Sequence, residues 1–170
     1  MTCKMEQITA TPSLGFSEAI NKAASNIFKF EGRSRRSEYW WTMVIVYLVS
    51  IILTPLVGFV LSLLTIPLTF RRLHDTGRSG WWWGGCAILQ GIVTTLFIYD
   101  MTMAYLNADN MNGYGDEIMW AFLLKYSLLS VLIVIYKIVL IVFYCIDSEP
   151  YKNDYGESPK HEISADAVSE

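Results

Sequence analysis

Residues 30–41 read Phe-Glu-Gly-Arg-Ser-Arg-Arg-Ser-Glu-Tyr-Trp-Trp, and residues 67–83 read Pro-Leu-Thr-Phe-Arg-Arg-Leu-His-Asp-Thr-Gly-Arg-Ser-Gly-Trp-Trp-Trp. The run that joins these two basic motifs, 40–70, contains no Asp, Glu, Lys or Arg. Long apolar runs with few charges are typical of membrane spans. The two motifs therefore predict a membrane segment whose two ends are marked by arginine.

The composition of the whole chain supports a membrane protein. Of the 170 residues, 53% are hydrophobic and 17% are charged, against roughly 25% charged residues in soluble domains. The apolar residues are concentrated in 40–70, 81–99 and 118–146, without the amphipathic periodicity of helices in a soluble core. The net charge of −3 argues against a nucleic acid partner.

Neither a secretory signal nor a cysteine framework is expected. Residues 1–15 are polar and lack an apolar core and a cleavage site, so the first span should act as an uncleaved insertion signal. Cys3, Cys86 and Cys145 are far apart and give neither a zinc-ligand spacing nor a disulfide framework. We therefore expect no metal site and no other cofactor.

The distribution of Lys and Arg predicts how the chain crosses the membrane. Six lie in 1–39, three in 71–80, none in 100–117 and two in 147–170. If 40–70 forms a hairpin of two short spans, these eleven basic residues share one side, which the positive-inside rule identifies as cytoplasmic. If 40–70 is a single span, they divide almost evenly between the two sides. The hairpin is favoured, and it places both termini in the cytoplasm.

Length also favours a hairpin over 40–70. A single helix would be about 46 Å long, whereas the hydrocarbon core of a bilayer is about 30 Å thick. Pro55 and Gly58 offer a position for the turn, although the residues around them are apolar. A strongly tilted or kinked single helix is the alternative.

The remaining segments complete an all-α architecture, a multi-pass transmembrane helical bundle of about four spans. In 14–30 the apolar residues share one helical stripe, which predicts an amphipathic helix that lies along the headgroup region or packs against a partner domain. The acidic tail is expected to be disordered over 160–170. The prediction is one membrane domain over 1–159, with an outward loop at 100–117 and spans at about 37–55, 56–73, 81–99 and 118–146.

Three groups of residues match one known pattern. They are Phe30, Gly32, Arg33, Arg36, Glu38, Tyr39 and Trp40, then Pro67, Arg71, Arg72, Leu73, His74, Asp75, Ser79, Gly80, Trp81 and Trp82, and finally Asn153, Tyr155, Gly156 and Pro159. These residues resemble the motifs of the bacterial inner-membrane family called domain of unknown function 805, the YhaH-like proteins. The resemblance covers residues 16–159. It implies an uncharacterised protein of the bacterial inner membrane, because the family has no established reaction.

The chain departs from this family in two places. The segment between the first two predicted spans is shorter than the usual polar connection. The region between Trp83 and Cys145 is longer, because it holds the segment 100–117 and a separate fourth apolar run. The resemblance therefore leaves the number of spans open.

Charged residues of both motifs are expected to meet at the cytoplasmic ends of the hairpin. Guanidinium groups bind phosphate through paired hydrogen bonds, and each basic residue near the membrane attracts anionic lipid by about 1 kcal/mol. We expect this cluster to bind anionic headgroups or a protein partner, while a role in topology alone is the alternative. Its members are Arg33, Arg36, Glu38, Arg71, Arg72, His74, Asp75 and Arg78, and the predicted aromatic anchors beside them are Tyr39, Trp40, Trp81 and Trp82.

The pair His74-Asp75 invites a metal or acid–base interpretation. A metal site needs three or four converging ligands, and the other histidine, His161, lies in the tail. Gly77 follows at the position of a left-handed helix stop, and basic residues favour the end of a helix. The motif is therefore interpreted as a helix end, and no catalytic residue is predicted.

Function remains open between three classes. The favoured class is a non-enzymatic membrane protein that binds anionic lipid or a protein partner. The first alternative is a component of a small, oligomeric transporter or channel, in which polar span residues such as Gln90, Thr94 and the mid-span Lys137 face a common interior. The second is a headgroup-modifying enzyme, for which the acid–base candidates are Glu38, His74 and Asp75.

Overall fold

The computed structural model describes residues 8–107 and 115–163. This part of the chain is mostly helical, which confirms the predicted helical membrane class. Strands β1 (Ile8–Ala10) and β2 (His161–Ile163) form a two-stranded antiparallel sheet. The helices are α1 (Phe16–Ser25), α2 (Arg36–Ile52), α3 (Pro55–Leu64), α4 (Ile66–His74), α5 (Trp81–Leu106) and α6 (Gly115–Cys145).

The described residues divide into two compact units. The first unit combines the chain up to Trp81 with the chain from Phe143 onwards. The second unit is Trp82–Val142. The first unit is therefore built from two stretches that are far apart in sequence, and it holds both basic motifs.

Three segments among the described residues have the length and apolar composition of membrane-crossing helices. They are Leu56–His74, Trp81–Leu106 and Met119–Cys145. Helix α2, at the position of the predicted first span, has 17 residues and is about 26 Å long at the usual rise per residue. A crossing by α2, and with it the four-span arrangement, stays a prediction.

The uncharged run 40–70 folds back on itself after α2. Leu53 and Thr54 form the connection, and Pro55 is the first residue of α3. At this position a backbone amide has no hydrogen-bond partner within the helix, so the amide hydrogen that proline lacks is not needed. Helices α2 and α3 pack together so closely that a Cβ on Gly58 would lie 2.9 Å from the Cβ of Ser50. Glycine is needed at this crossing because any side chain would push the two helices apart.

Helix α1 packs against α2 and is shorter than the predicted 14–30 segment, because the helix ends at Ser25. Ala19 and Ala23 are buried, and the ring of Phe16 meets the ring of Trp41 edge-to-face with centroids 5.4 Å apart. Part of the apolar surface of α1 is therefore used for packing within the first unit.

The loop predicted over 100–117 is shorter than expected, because α5 extends to Leu106 and α6 begins at Gly115. The prediction treated Asp100 as the end of a span. In the structure the Nζ of Lys125 lies 2.6 Å from the Asp100 carboxylate, and the hydroxyl of Tyr126 donates to it at 2.7 Å. Asp100 therefore lies within α5 as a paired charge and does not mark the end of the helix. Residues 108–114 lie outside the described residues.

The tail also differs from its prediction, because the disorder expected from residue 160 does not hold at His161–Ile163. These residues pair with Ile8–Ala10, with Thr9 opposite Glu162. Three-residue strands show too little alternation of apolar and polar residues to be recognised from sequence. Residues 164–170 lie outside the described residues.

Candidate functional site

The loop before α2, the end of α4 and the chain after α6 meet in the first unit. The backbone amide of Ser34 donates to the carbonyl of Arg71 at 3.0 Å, and the amide of Glu149 donates to the carbonyl of Asp75 at 3.2 Å. Gly77 ends α4 with a φ of +67°, as the sequence predicted for a left-handed stop. The two basic motifs and the tail are therefore joined through their backbones.

Asp75 lies at the centre of a buried group of polar side chains, here called the Asp75 network (Asp75, Arg33, Arg72 and Ser148). Arg33 Nε lies 3.0 Å from Asp75 Oδ1, and Arg72 Nη1 lies 2.5 Å from Asp75 Oδ2. The hydroxyl of Ser148 also donates to Oδ2. Burial raises the pKa of the Asp75 carboxyl, and the Ser148 hydrogen bond and the charges of Arg72 and Arg33 oppose this shift. Two guanidiniums thus share one carboxylate away from water.

Arg33 connects the Asp75 network to the tail. Its Nη2 donates to the carbonyl of Glu149 at 2.6 Å and to that of Asp75 at 3.2 Å. Its Nη1 donates to the carbonyls of Tyr151 at 2.8 Å and Gly156 at 3.3 Å. With its side chain 1% exposed, Arg33 makes every contact inside the protein.

Arg72 connects the same network to the end of α6. Its Nε donates to the carbonyl of Tyr144 at 3.1 Å, and its Nη2 donates to the carbonyl of Ile146. Its Nη1 also donates to the carbonyl of Ser34 at 3.2 Å. The planar guanidinium group of arginine can donate to acceptors in several directions at once. The compact ammonium group of lysine cannot do this.

A second buried ion pair joins α4 to the first turn of α2. Arg71 Nη1 lies 3.3 Å from Glu38 Oε1, and the two side chains are almost inaccessible. Arg71 Nε and Nη2 have no hydrogen-bond partner among the described residues. The pair is therefore held mainly by charge, and removing either member would leave the other buried and unpaired.

His74 faces the tail, and its ring is stacked on Tyr155. The ring centroids are 3.9 Å apart and the planes differ by 2°. Its Nδ1 lies 3.3 Å from the carbonyl of Gly32, and its own carbonyl accepts from the side-chain amide of Asn153 at 2.9 Å.

Within the described ranges, no group of three His, Cys, Asp or Glu residues lies close enough to hold a metal ion.

Two predicted cluster members, Arg36 and Arg78, are accessible. The Arg36 side chain is 46% exposed and its Nη2 lies 3.2 Å from the carboxylate of Asp147. The guanidinium of Arg78 lies 4.1 Å from the centre of the Phe143 ring, in a cation–π geometry, and is partly exposed. The structure thus brings the cluster to one region but separates its members into buried and accessible ones.

The predicted aromatic anchors divide in the same way. Trp40, Trp81 and Trp82 are exposed, as an interfacial anchor requires. Tyr39 is buried, and its ring centroid lies 4.8 Å from that of Tyr144. The anchor prediction is therefore corrected for Tyr39, because a ring enclosed by protein does not reach the headgroups.

The prediction of site residues omitted the tail, although the tail completes the network. Ser148 and Glu149 carry no recognisable motif, and their contacts depend on the fold. Asn153 and Tyr155 belong to the tail motif quoted above, which was the available signal for their packing against His74.

The chain matches the family described as "Protein of unknown function (DUF805)" over residues 27–61 and 48–157, which is more than half of its length. The chain belongs to this family. This confirms the resemblance read from the motifs. Both basic motifs and Ser148, the tail residue of the Asp75 network, lie within the matched ranges.

The chain is also similar to two curated proteins called "Inner membrane protein YhaH", from Escherichia coli strain K12 and Escherichia coli O157:H7. Each is 33% identical over 79 residues, which cover 36% of this chain and 65% of the relative. The match thus spans less than two thirds of the length of these relatives. No solved structure matches the chain. This similarity and the apolar helices of the chain together support an inner-membrane location.

Proposed function

We propose that this chain is a non-enzymatic inner-membrane protein that binds anionic phospholipid at the cytoplasmic ends of its helices. The observation that carries the proposal is the division of the basic residues. Arg33, Arg71 and Arg72 are enclosed in ion pairs, whereas Arg36 and Arg78 are accessible. Arg36 lies beside the exposed rings of Trp40 and Trp41. Accessible guanidiniums beside interfacial aromatic rings suit phosphate headgroups.

The buried residues support a structural role better than a catalytic one. Glu38 and Asp75 are fully buried, and each is paired with arginine. The ring of His74 is covered on one face by Tyr155. A general acid or base must reach its substrate, so this arrangement disfavours the headgroup-modifying enzyme.

The same contacts support a common side of the membrane for the basic segments. Arg33, Asp75 and Glu149 come from three different segments and are in direct contact. These segments hold most of the Lys and Arg residues, so we assign this side to the cytoplasm.

The assigned topology predicts the accessibility of single cysteines in intact inner-membrane vesicles. In a chain with Cys3, Cys86 and Cys145 replaced, Ser79→Cys should react with an impermeant thiol reagent from the cytoplasmic side. Asn110→Cys should react from the opposite side. Reaction of both positions from the same side would contradict the assignment, and labelling after detergent treatment controls for cysteines that are buried.

Lipid binding predicts that the purified chain retains phosphatidylglycerol in preference to phosphatidylcholine, as measured by native mass spectrometry. Arg36→Gln/Arg78→Gln should weaken the retention of phosphatidylglycerol by about 2 kcal/mol, since each basic residue contributes about 1 kcal/mol. The charge-matched control Lys29→Gln/Lys152→Gln, which changes two exposed lysines, should retain the lipid nearly as well as the wild type. Equal retention of the two lipids by the wild type would overturn the proposed function.

A further inference from the structure

Two cavities adjoin each other at the beginning of α2. One, here called the polar cavity, has a volume of about 240 Å³ and is lined by polar and charged residues, among them Arg35, Arg36, Lys160, Asp147, Ser13 and Ser37. The other has a volume of about 470 Å³ and is lined mainly by Trp40, Trp41 and Val44. Both are lined by Arg36 and Ser37, so the two cavities lie side by side at these residues.

We infer that these two cavities together bind one anionic phospholipid, with its phosphate in the polar cavity and one acyl chain in the apolar cavity. This inference rests on the proposed function and gives it a defined site. It also changes the residues involved, because Arg35 and Lys160 are not members of the cluster predicted from the sequence.

The polar cavity is suited to an anion because its cations already converge on one. The Asp147 carboxylate lies 3.2 Å from Arg36 and 2.5 Å from Lys160. With 47% of its side chain exposed, Asp147 holds these cations through solvent-accessible pairs, which contribute little to stability. A phosphate group can therefore compete with the carboxylate for these cations, and it can form bidentate contacts to arginine.

Arg35 adds a positioned charge to the same cavity. Its Nη1 donates to the hydroxyl of Thr11 at 3.0 Å, and its Nη2 donates to the carbonyl of Thr11 at 2.9 Å. These two bonds fix the guanidinium before any ligand binds, which reduces the entropy that binding has to overcome. Three basic side chains against one acidic side chain leave the cavity with a positive charge.

The apolar cavity follows one face of α2. Ser37, Trp40, Trp41 and Val44 have the spacing i, i+3, i+4 and i+7, so their side chains lie in one row along the helix. From Ser37 to Val44 this row rises about 10 Å, from the polar cavity towards the apolar part of α2. Exposed tryptophans in such a row match the headgroup–acyl boundary.

The position of the polar cavity beside the apolar one distinguishes a lipid from a soluble phosphate compound. A soluble phosphate would occupy the polar cavity and would leave the row of Trp40, Trp41 and Val44 unused. A zwitterionic lipid would fill the apolar cavity and would gain less from the three cations. An anionic phospholipid satisfies both cavities at once.

The test uses the full chain in nanodiscs of phosphatidylcholine with a graded fraction of phosphatidylglycerol, and native mass spectrometry measures the phosphatidylglycerol retained. Arg36→Gln/Lys160→Gln should lower its apparent affinity roughly thirtyfold, at about 1 kcal/mol for each cation removed. The control Lys29→Gln/Lys152→Gln should change it less than about threefold, because exposed lysines outside the cavities make screened contacts. An equal effect of the two double variants overturns the site. If the wild type still prefers phosphatidylglycerol, the proposed function survives that result.

Two further arms keep the inference testable if the double variant folds poorly. Asp147→Asn removes the competing carboxylate and should increase phosphatidylglycerol retention, whereas Glu157→Gln, which changes another exposed carboxylate of the tail, should not. Val44→Trp fills the apolar cavity and should reduce retention with every cation intact.

Displacement of the lipid by an excess of soluble glycerophosphoglycerol would show that the polar cavity suffices alone, and would overturn the assignment to a lipid.

Discussion

Asp75→Ala is expected to lower the free energy of unfolding by about 3–5 kcal/mol, the range found when one partner of a buried ion pair is removed. The substitution leaves Arg33 and Arg72 buried without a counter-charge and deprives Ser148 of its acceptor. The measurement is the unfolding of the purified protein in mixed micelles with increasing SDS, followed by tryptophan fluorescence.

Asp147→Ala is the matched control, because it removes the same side chain from a half-exposed position, where it pairs with Arg36 and Lys160. Its effect on the free energy of unfolding should stay below about 1 kcal/mol, as for other solvent-accessible pairs. Similar effects of Asp75→Ala and Asp147→Ala would mean that the Asp75 network does not stabilise the first unit.

Arg72→Lys is expected to cost about 3 kcal/mol although it preserves the charge. A lysine can pair with Asp75, but its compact ammonium group does not reach all the acceptors of the guanidinium. The carbonyls of Tyr144, Ile146 and Ser34 would then compete for too few donors. Each buried acceptor left without a donor costs about 1–3 kcal/mol.

The corresponding control is Arg36→Lys, which makes the same change at an accessible position. Arg36 contacts the Asp147 carboxylate and the carbonyl of Cys145, and water can replace either contact. The same SDS titration should show a loss below about 1 kcal/mol for Arg36→Lys. If Arg72→Lys is equally mild, the fork geometry of Arg72 is not what holds α4 to the end of α6.

The features predicted well from the sequence depend on one-dimensional signals. The absence of charge in 40–70 and the positions of the basic residues were enough to favour a chain that folds back near Pro55. Gly77 was recognised as the end of α4 because a left-handed backbone favours glycine. Such signals are local, so they can be recognised in the sequence without knowledge of the tertiary structure.

The features that escaped prediction depend on distant partners. Arg33 and Arg36 belong to one motif, yet Arg33 is buried and Arg36 is half-exposed. The difference arises because Arg33 donates to several backbone carbonyls of the tail. Every residue has a backbone carbonyl, so the sequence does not show which of them will accept these hydrogen bonds. For the same reason, the convergence of Arg36 and Lys160 on one carboxylate could not be foreseen.

The discontinuous first unit has a consequence for the order in which the protein matures. Arg72 and Asp75 can pair as soon as α4 has been made, but the acceptors after Phe143 are synthesised later than the whole of Trp82–Val142. At about 5–20 residues per second, this delay amounts to several seconds. During that interval Arg33 has to stay hydrated or rest on lipid headgroups, because its tail carbonyls do not yet exist. The buried hydrogen bonds of Arg33 to the tail can therefore form only after the chain beyond Phe143 has been made.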